Sequence, residues 1–196
     1  MAPVNILMEG LTDEPVAKKL LLHLGLQAGP VYGKKGKSDL LKRLANYNKA
    51  AQFSPWFVII DLDKDTQCPS EAMRLWLPQP AESMICRIAV RTIEAWLLAD
   101  RKNLAHYLSV SEARLQQHAD SYADPKEALV NIARHSSNSS IRSDMVPRQN
   151  SGARVGPLYV ARLNAFTEQF WNPDAAAENS SSLGRCIRAL KRLKEL

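Results

Sequence analysis

Three features of the sequence predict an α/β fold: a central parallel sheet flanked by helices, followed by a mostly helical C-terminal extension. The first hundred residues alternate between strand-like and helix-like patterns. Residues 56–60, Trp-Phe-Val-Ile-Ile, form a continuous β-branched and aromatic run, as in parallel strands covered on both faces. After Asp100 the apolar spacing is mainly helical. Crossovers as long as those between the strand candidates imply parallel pairing with right-handed connections.

Taken in order, Val4–Met8 is a short apolar run and the first strand. Thr12, followed by Asp13, Glu14 and Pro15, reads as a helix start. It offers an N-cap hydroxyl, acids in the first turn, and a proline where no amide bond is lost. Val16, Leu20, Leu21 and Leu24 recur at helical spacing until Gly25, and residues 29–33 suit a second short strand. Ser38 opens another helix, with Leu40, Leu41 and Leu44 on one side and Lys42, Arg43 and Lys49 on the other. Residues 56–60 are the clearest strand, and 84–90 a fourth that leads into a helical stretch over 93–100. Residues 111–118, 124–134, 157–171 and 182–196 then read as helices, and the polar, turn-rich stretch 136–156 as a long mobile loop. The expected organisation is an α/β core over residues 1–100 and a helical extension over 101–196 packed on it, without internal repeats.

The composition fits this reading. Of the 196 residues 45% are hydrophobic and 23% charged, enough apolar material for a sizeable core. No apolar run approaches the ~20 residues that a bilayer requires, and Glu9 arrives too early for a signal peptide. A membrane partner is therefore not expected. Cys68, Cys86 and Cys186 are odd in number and widely spaced, as are the four histidines. This argues for free thiols in a reducing, cytoplasmic setting and against a structural zinc site. The net charge of +6 favours polyanionic partners, nucleic acid above all.

Acids fall where strands end. Glu9 follows the first strand with Asp13 four residues on, Asp61 and Asp63 follow the third, and Glu94 follows the fourth. In an open parallel sheet, functional groups gather at the carboxyl ends of the strands. Two residues apart on an extended backbone, Asp61 and Asp63 would face one ion together, with Glu9 across from them if the first and third strands are neighbours. Carboxylates brought so close raise one another's pKa unless a cation neutralises them. Mg²⁺ (or Mn²⁺) suits such hard oxygen ligands and supports phosphoryl transfer. Glu9, Asp61 and Asp63 are thus the expected catalytic residues and metal ligands, with Asp13 and Glu94 auxiliary and Lys64 steadying a phosphate. Each acid also has an ordinary role as a cap or turn residue, and Asp13 most of all.

These motifs resemble a known fold family. Strand–Glu9-Gly-x-Thr-Asp13-Glu–helix, then strand–Asp61-x-Asp63, is similar to the Toprim fold (Rossmann-like) of topoisomerases, primases and OLD-type nucleases. The resemblance implies a strand-end glutamate beside a DxD pair that holds Mg²⁺, with Glu9 and Asp13 matching the E-x-x-x-D of the OLD-type enzymes. Ile93-Glu94-Ala-Trp96-Leu-Leu-Ala-Asp100, Val155-Gly-Pro-Leu-Tyr159 and Ser182-Leu-Gly-Arg-Cys-Ile-Arg188 are more particular. They resemble the small bacterial Toprim-like family called domain of unknown function four-two-seven-six. That resemblance implies a Mg²⁺-dependent nuclease acting on DNA or RNA, possible partnership with an ABC-type ATPase, and a setting in phage defence. Serine, glutamate and lysine counterparts of the OLD-type second metal site are not recognisable, apart from Glu94.

Basic residues suggest where a polyanion would sit. Lys34, Lys35 and Lys37 form a cationic loop after the second strand, and Arg185, Arg188 and Arg192 share one face of the last helix, opposite Leu183, Ile187, Leu190 and Leu193. That face also suits a solvated helix whose cations complement its C-terminal dipole. Arg142, Arg148 and Arg154 make the 136–156 stretch cationic. The four tryptophans read as core or interface anchors, and Tyr159 as structural or base-stacking. Two other functions fit parts of the pattern. Ile-Ile-Asp61-Leu-Asp63 resembles the nucleophile motif of haloacid-dehalogenase-like phosphatases, in which the first aspartate attacks phosphorus. It begins far from the N-terminus, however, and position 65 is aspartate. The other alternative is a non-catalytic partner subunit of an ATPase.

Overall fold

A computed structural model describes residues 2–66 and 68–194. The chain divides into two compact units, Met1–Val90 with Ser182–Leu196, and Arg91–Ser181. The division falls after Val90 rather than near residue 101, and the last helix belongs to the same unit as the sheet.

The first unit is α/β. Strands β1 (Val4–Met8), β2 (Ala28–Gly33), β3 (Trp56–Asp61) and β4 (Met84–Ala89) form one parallel sheet in the order β2-β1-β3-β4. Between them lie helices α1 (Asp13–His23), α2 (Lys37–Ala50) and α3 (Pro69–Trp76). β3 is central, and its Trp56 to Ile60 are all buried, which is why its sequence is apolar without alternation. Each such side chain contributes roughly 1.5–3 kcal/mol by leaving water. Leu7, Val58 and Ile60 pack with Leu40 and Leu44 of α2 on one face of the sheet. Strand alternation turns Ile6, Phe57 and Ile59 to the other face, where the opposite crossover puts α1, with Val16, Ala17, Leu20 and Leu21 buried. β2 is an edge strand, alternately exposed, and tolerates Pro30 there.

The order fixes where the chain reverses its winding. β1 leads outward to β2, then the chain returns to β3 on the other side of β1 and continues to β4. The carboxyl ends of β1 and β3 therefore form the topological switch point, the usual place for a ligand in such sheets.

The second unit is helical: α4 (Glu94–Leu98), α5 (Arg101–Leu108), α6 (Pro125–Arg134), α7 (Ser139–Met145), α8 (Tyr159–Gln169) and α9 (Pro173–Asn179). Trp171 Nε1 donates to the Trp96 carbonyl at 3.1 Å, and both indoles are buried. The Asp100 carboxylate accepts from the Asn172 amide at 2.7 Å, tying the start of α5 to the start of α9. α10 (Ser181–Lys191) and a 3₁₀ turn over Arg192–Lys194 complete the described chain. Leu183, Ile187, Leu190 and Leu193 are buried, while Arg185, Arg188 and Arg192 are exposed. Of the expected 182–196 helix, residues 195 and 196 lie outside the described residues. No helix among the described residues is long and apolar enough to cross a membrane.

Several expectations are corrected. α3, α5 and α9 lie in segments with no expected helix. Over 111–118 only a 3₁₀ turn forms at Glu112–Arg114, because Leu115 alone of that segment is buried and there is no apolar stripe to seat a helix. The 136–156 stretch contains a helix: the Asn138 carboxamide caps the Ser140 amide at 2.9 Å, and Ile141 and Met145 bury one side. The Thr12 hydroxyl makes no cap bond in α1. The Asp13 carboxylate instead turns back to accept from the Glu9 and Gly10 amides, at 3.1 and 2.8 Å.

Gly33 ends β2 at φ +92°, and a Cβ there would fall on the Met8 carbonyl oxygen. Gly36, at φ +83°, has open space around it. Gly33→Ala is expected to cost about 4 kcal/mol in stability by urea unfolding, and Gly36→Ala about 2 kcal/mol, the cost of a backbone region (φ +83°, ψ 167°) open almost only to glycine. Equal losses in the two variants would contradict the steric account.

Candidate functional site

Glu9 leaves the end of β1 and carries its carboxylate across to β3. Because β1 and β3 pair directly, Glu9 Oε1 reaches the Asp61 backbone amide and accepts its hydrogen bond at 2.8 Å. The Glu9 and Asp61 segments therefore do meet at the switch point. Burial pushes the Glu9 carboxyl up to about 7; the Asp61 amide and Lys37 oppose that rise, and Asp13 and Asp63 add to it.

Lys37, the first residue of α2, sits over this group of acids. Its Nζ lies 2.6 Å from Asp63 and 2.8 Å from Asp65, and 5.4 Å from the centre of the Trp76 ring. Burial works against its charge, but the bonds to Asp63 and Asp65 outweigh that and hold its pKa above the ordinary lysine range. The ammonium of Lys37, a candidate nucleic-acid contact, is engaged by these carboxylates.

Asp63 does not continue the strand. β3 ends at Asp61, Leu62 is buried, and Asp63 adopts a left-handed turn at φ +51°. The two-residue alternation that would aim Asp61 and Asp63 at one ion holds only on extended backbone, so it stops short of Asp63. Asp61 Oδ1 is withdrawn from solvent, whereas the Asp63 side chain is about half exposed. Among the described residues no group of three or more His, Cys, Asp or Glu side chains stands ready to hold a metal ion.

The remaining candidates have other settings. Asp13 is buried and shapes the Glu9–Gly10 turn. Lys34 pairs with Glu14, which also takes Lys18 at 2.6 Å; these bonds, Lys18 first, hold the Glu14 carboxyl below its usual range. Lys35 and Lys64 are exposed. Arg185 and Arg188 on α10 and Arg192 in the 3₁₀ turn after it are exposed to solvent. Glu94 belongs to the second unit, where it is only 2% exposed, 3.5 Å from Lys126 Nζ and 3.5 Å from the Tyr159 hydroxyl. Burial raises the Tyr159 phenol well above its normal range, and Glu94 raises it further. Tyr159 is thus a buried partner of Glu94, with no exposed ring face for a base. Cys86 and Cys186 are buried thiols and Cys68 an exposed one.

Sequence reasoning placed Lys37 in a cationic loop and missed its pairing with Asp63 and Asp65. Its partners stand 26 and 28 residues away, and such loop-to-loop pairing leaves no periodic trace. No family model, curated protein or solved structure matches the chain.

With a carboxyl lifted from about 4.5 to about 7, the folded state binds more protons than the unfolded chain between those values. Stability should therefore fall as pH rises through that window and level off above it. Glu9→Gln keeps an acceptor for the Asp61 amide without the charge. It should remove this slope and gain about 1–2 kcal/mol over the wild type at pH 8, allowing for partial solvent access. Parallel stability–pH curves for the two proteins would contradict the raised pKa.

Proposed function

We propose that this chain is a Mg²⁺-dependent (or Mn²⁺-dependent) phosphodiesterase of Toprim type that cleaves DNA or RNA. The observation that carries the reading is the approach of Glu9 to Asp61 at the switch point, with the Glu9 charge only partly compensated. Hard oxygen donors around an under-compensated carboxylate fit a small divalent cation by their chemistry. Glu9 and Asp61 would hold it, with Asp63 joining them if Lys37 lets go. Bound there, the cation would activate water and neutralise charge on the phosphate.

The chain's own residues have separable tasks. Glu9, whose carboxyl is raised to about 7 without a cation, would give up its proton to hold one. The Asp61 amide orients that carboxylate. Lys37 holds Asp63 and Asp65 and competes with the cation for Asp63; once displaced, its ammonium is available to a phosphate oxygen. Asp13 keeps the Glu9–Gly10 turn in shape. Hydrolysis breaks one phosphorus–oxygen bond and adds water across it, so no further co-reactant is needed.

A second reading has one observation in its favour. Lys37 already bridges Asp63 and Asp65, as in a structural ion-pair network, and a non-catalytic partner subunit, of an ABC-type ATPase for example, needs no more. Metal binding separates the two readings. On the enzymatic reading, Mg²⁺ or Mn²⁺ raises the melting temperature, by about 2.7 kcal/mol in stability at a hundred times Kd. Lys37→Ala should then bind Mn²⁺ more tightly than the wild type. The purified chain should cut plasmid, single-stranded DNA or RNA with Mg²⁺ or Mn²⁺, and Asp61→Asn should lose at least about a hundredfold in rate. Equal cutting by Asp61→Asn and wild type would defeat the assignment, and a melting temperature indifferent to both metals would favour the second reading.

A further inference from the structure

The second unit carries ten Lys and Arg against ten Asp and Glu, so it has no net charge and no general reason to attract a polyanion. Its cations are nevertheless segregated. Two clefts, of about 260 and 480 Å³, share Arg134 and Pro147 in their walls. Lys126 and Arg154 line the first, and Arg142 and Arg148 the second. Half of the unit's basic residues thus face two adjoining clefts, in which Glu127 is the one acidic lining residue.

Local geometry makes this a track. Lys126, Val130 and Arg134 are spaced four apart on α6 and share one face. Lys126 and Arg134 are therefore about 12 Å apart along the helix axis, at 1.5 Å per residue. The Asn138 cap starts α7 so that Arg142 stands on the adjoining wall, where its guanidinium donates to the Ser136 carbonyl at 2.5 Å. Arg154 is held by Asp124 at 2.6 Å, and Lys126 lies 3.5 Å from Glu94. Among the described residues Arg134 and Arg148 have no carboxylate partner, and both side chains are exposed. Arginine's planar fork matches phosphate oxygens two at a time, and Val130, Val146 and Pro147 give the walls an apolar lining against which sugars can pack.

We infer that this groove binds the phosphate backbone of a nucleic acid strand, with Arg134 and Arg148 as its principal contacts. The phosphodiesterase reading enters only in choosing nucleic acid over other polyanions. An acidic protein surface would need matching carboxylates at fixed places, whereas a strand supplies a phosphate at every step along the clefts.

The experiment is fluorescence anisotropy with a short labelled single strand and its duplex, in EDTA so that nothing is cut, over a series of salt concentrations. The double variant Arg134→Ala/Arg148→Ala is expected to bind about tenfold more weakly near 0.1 M salt. Its log–log salt slope should be shallower by about 1.4 on the single strand and about 1.8 on the duplex, two contacts at 0.7 and 0.9 each. Lys102→Ala, an exposed cation outside the clefts, should bind as the wild type does. Circular dichroism checks that the variants are folded, as expected for exposed side chains. Wild-type affinity and slope in the double variant would overturn the inference, and so would displacement by poly-glutamate as effective as by unlabelled polynucleotide. Asp61→Asn, which tests the catalytic reading, should bind normally in EDTA. If cleavage is absent everywhere but the double variant loses affinity, the groove stands and the nuclease falls. If cleavage is present and the double variant binds normally, the reverse holds.

Discussion

A carboxylate brought partly out of water is the constraint around which the sheet's carboxyl edge is arranged. An ion without compensation in such a place costs several kcal/mol. Glu9 receives one charge-assisted bond from the Asp61 amide, worth about 1.5–3 kcal/mol, and a share of the Lys37 charge. The rest of the cost appears as a carboxyl pKa near 7. Neighbouring backbone follows from this arrangement. Asp13 spends its carboxylate on the Glu9 and Gly10 amides, and the Gly36 amide donates to the Glu9 carbonyl at 3.1 Å, which brings the start of α2, and so Lys37, to the edge. Parallel pairing of β1 with β3 makes all of it possible, since it sets residue 9 beside residue 61.

That pairing was readable in the amino-acid pattern to a useful depth. Unbroken apolar runs at 4–8 and 56–60 are what buried parallel strands require, and acids after them marked the edge. The reading failed where it carried strand geometry past the strand's end. Asp63 is two residues from Asp61, but the left-handed turn between strand and loop breaks the alternation. Lys37 escaped for a different reason. A lysine in a loop with two other lysines reads as a phosphate contact, and only the fold brings it to Asp63 and Asp65. Short helices were the other failure: α7 is seven residues long and depends on an asparagine cap and two apolar side chains, too little to register as periodicity in a serine-rich stretch.

Two of the three motifs behind the narrower family resemblance, those at 93–100 and 155–159, have a structural account inside the second unit. Glu94 and Tyr159, one from each motif, are buried against one another, and Trp96 of the first motif accepts a hydrogen bond from Trp171. Gly156, in the second motif, stands where a Cβ would collide with the Asp144 carbonyl, and its own amide donates to the Met145 carbonyl at 2.9 Å. These residues specify a packed helical core.

Two strand-following glutamates thus reach opposite ends. Glu94 is enclosed with a lysine and a phenol, so that its oxygens face groups that satisfy them and solvent scarcely reaches them. Glu9 has a backbone amide as its direct partner, while the nearest cation is bound to other carboxylates. An acid whose surroundings already meet its charge gains little from a new ligand, because any newcomer must first break those bonds. An acid left short of compensation carries its charge at a cost, and for Glu9 that cost, set mainly by burial, shows as a raised carboxyl pKa. Glu9 and Glu94 thus differ in their partners: a backbone amide at the sheet's carboxyl edge for the one, a lysine and a phenol inside the helical unit for the other.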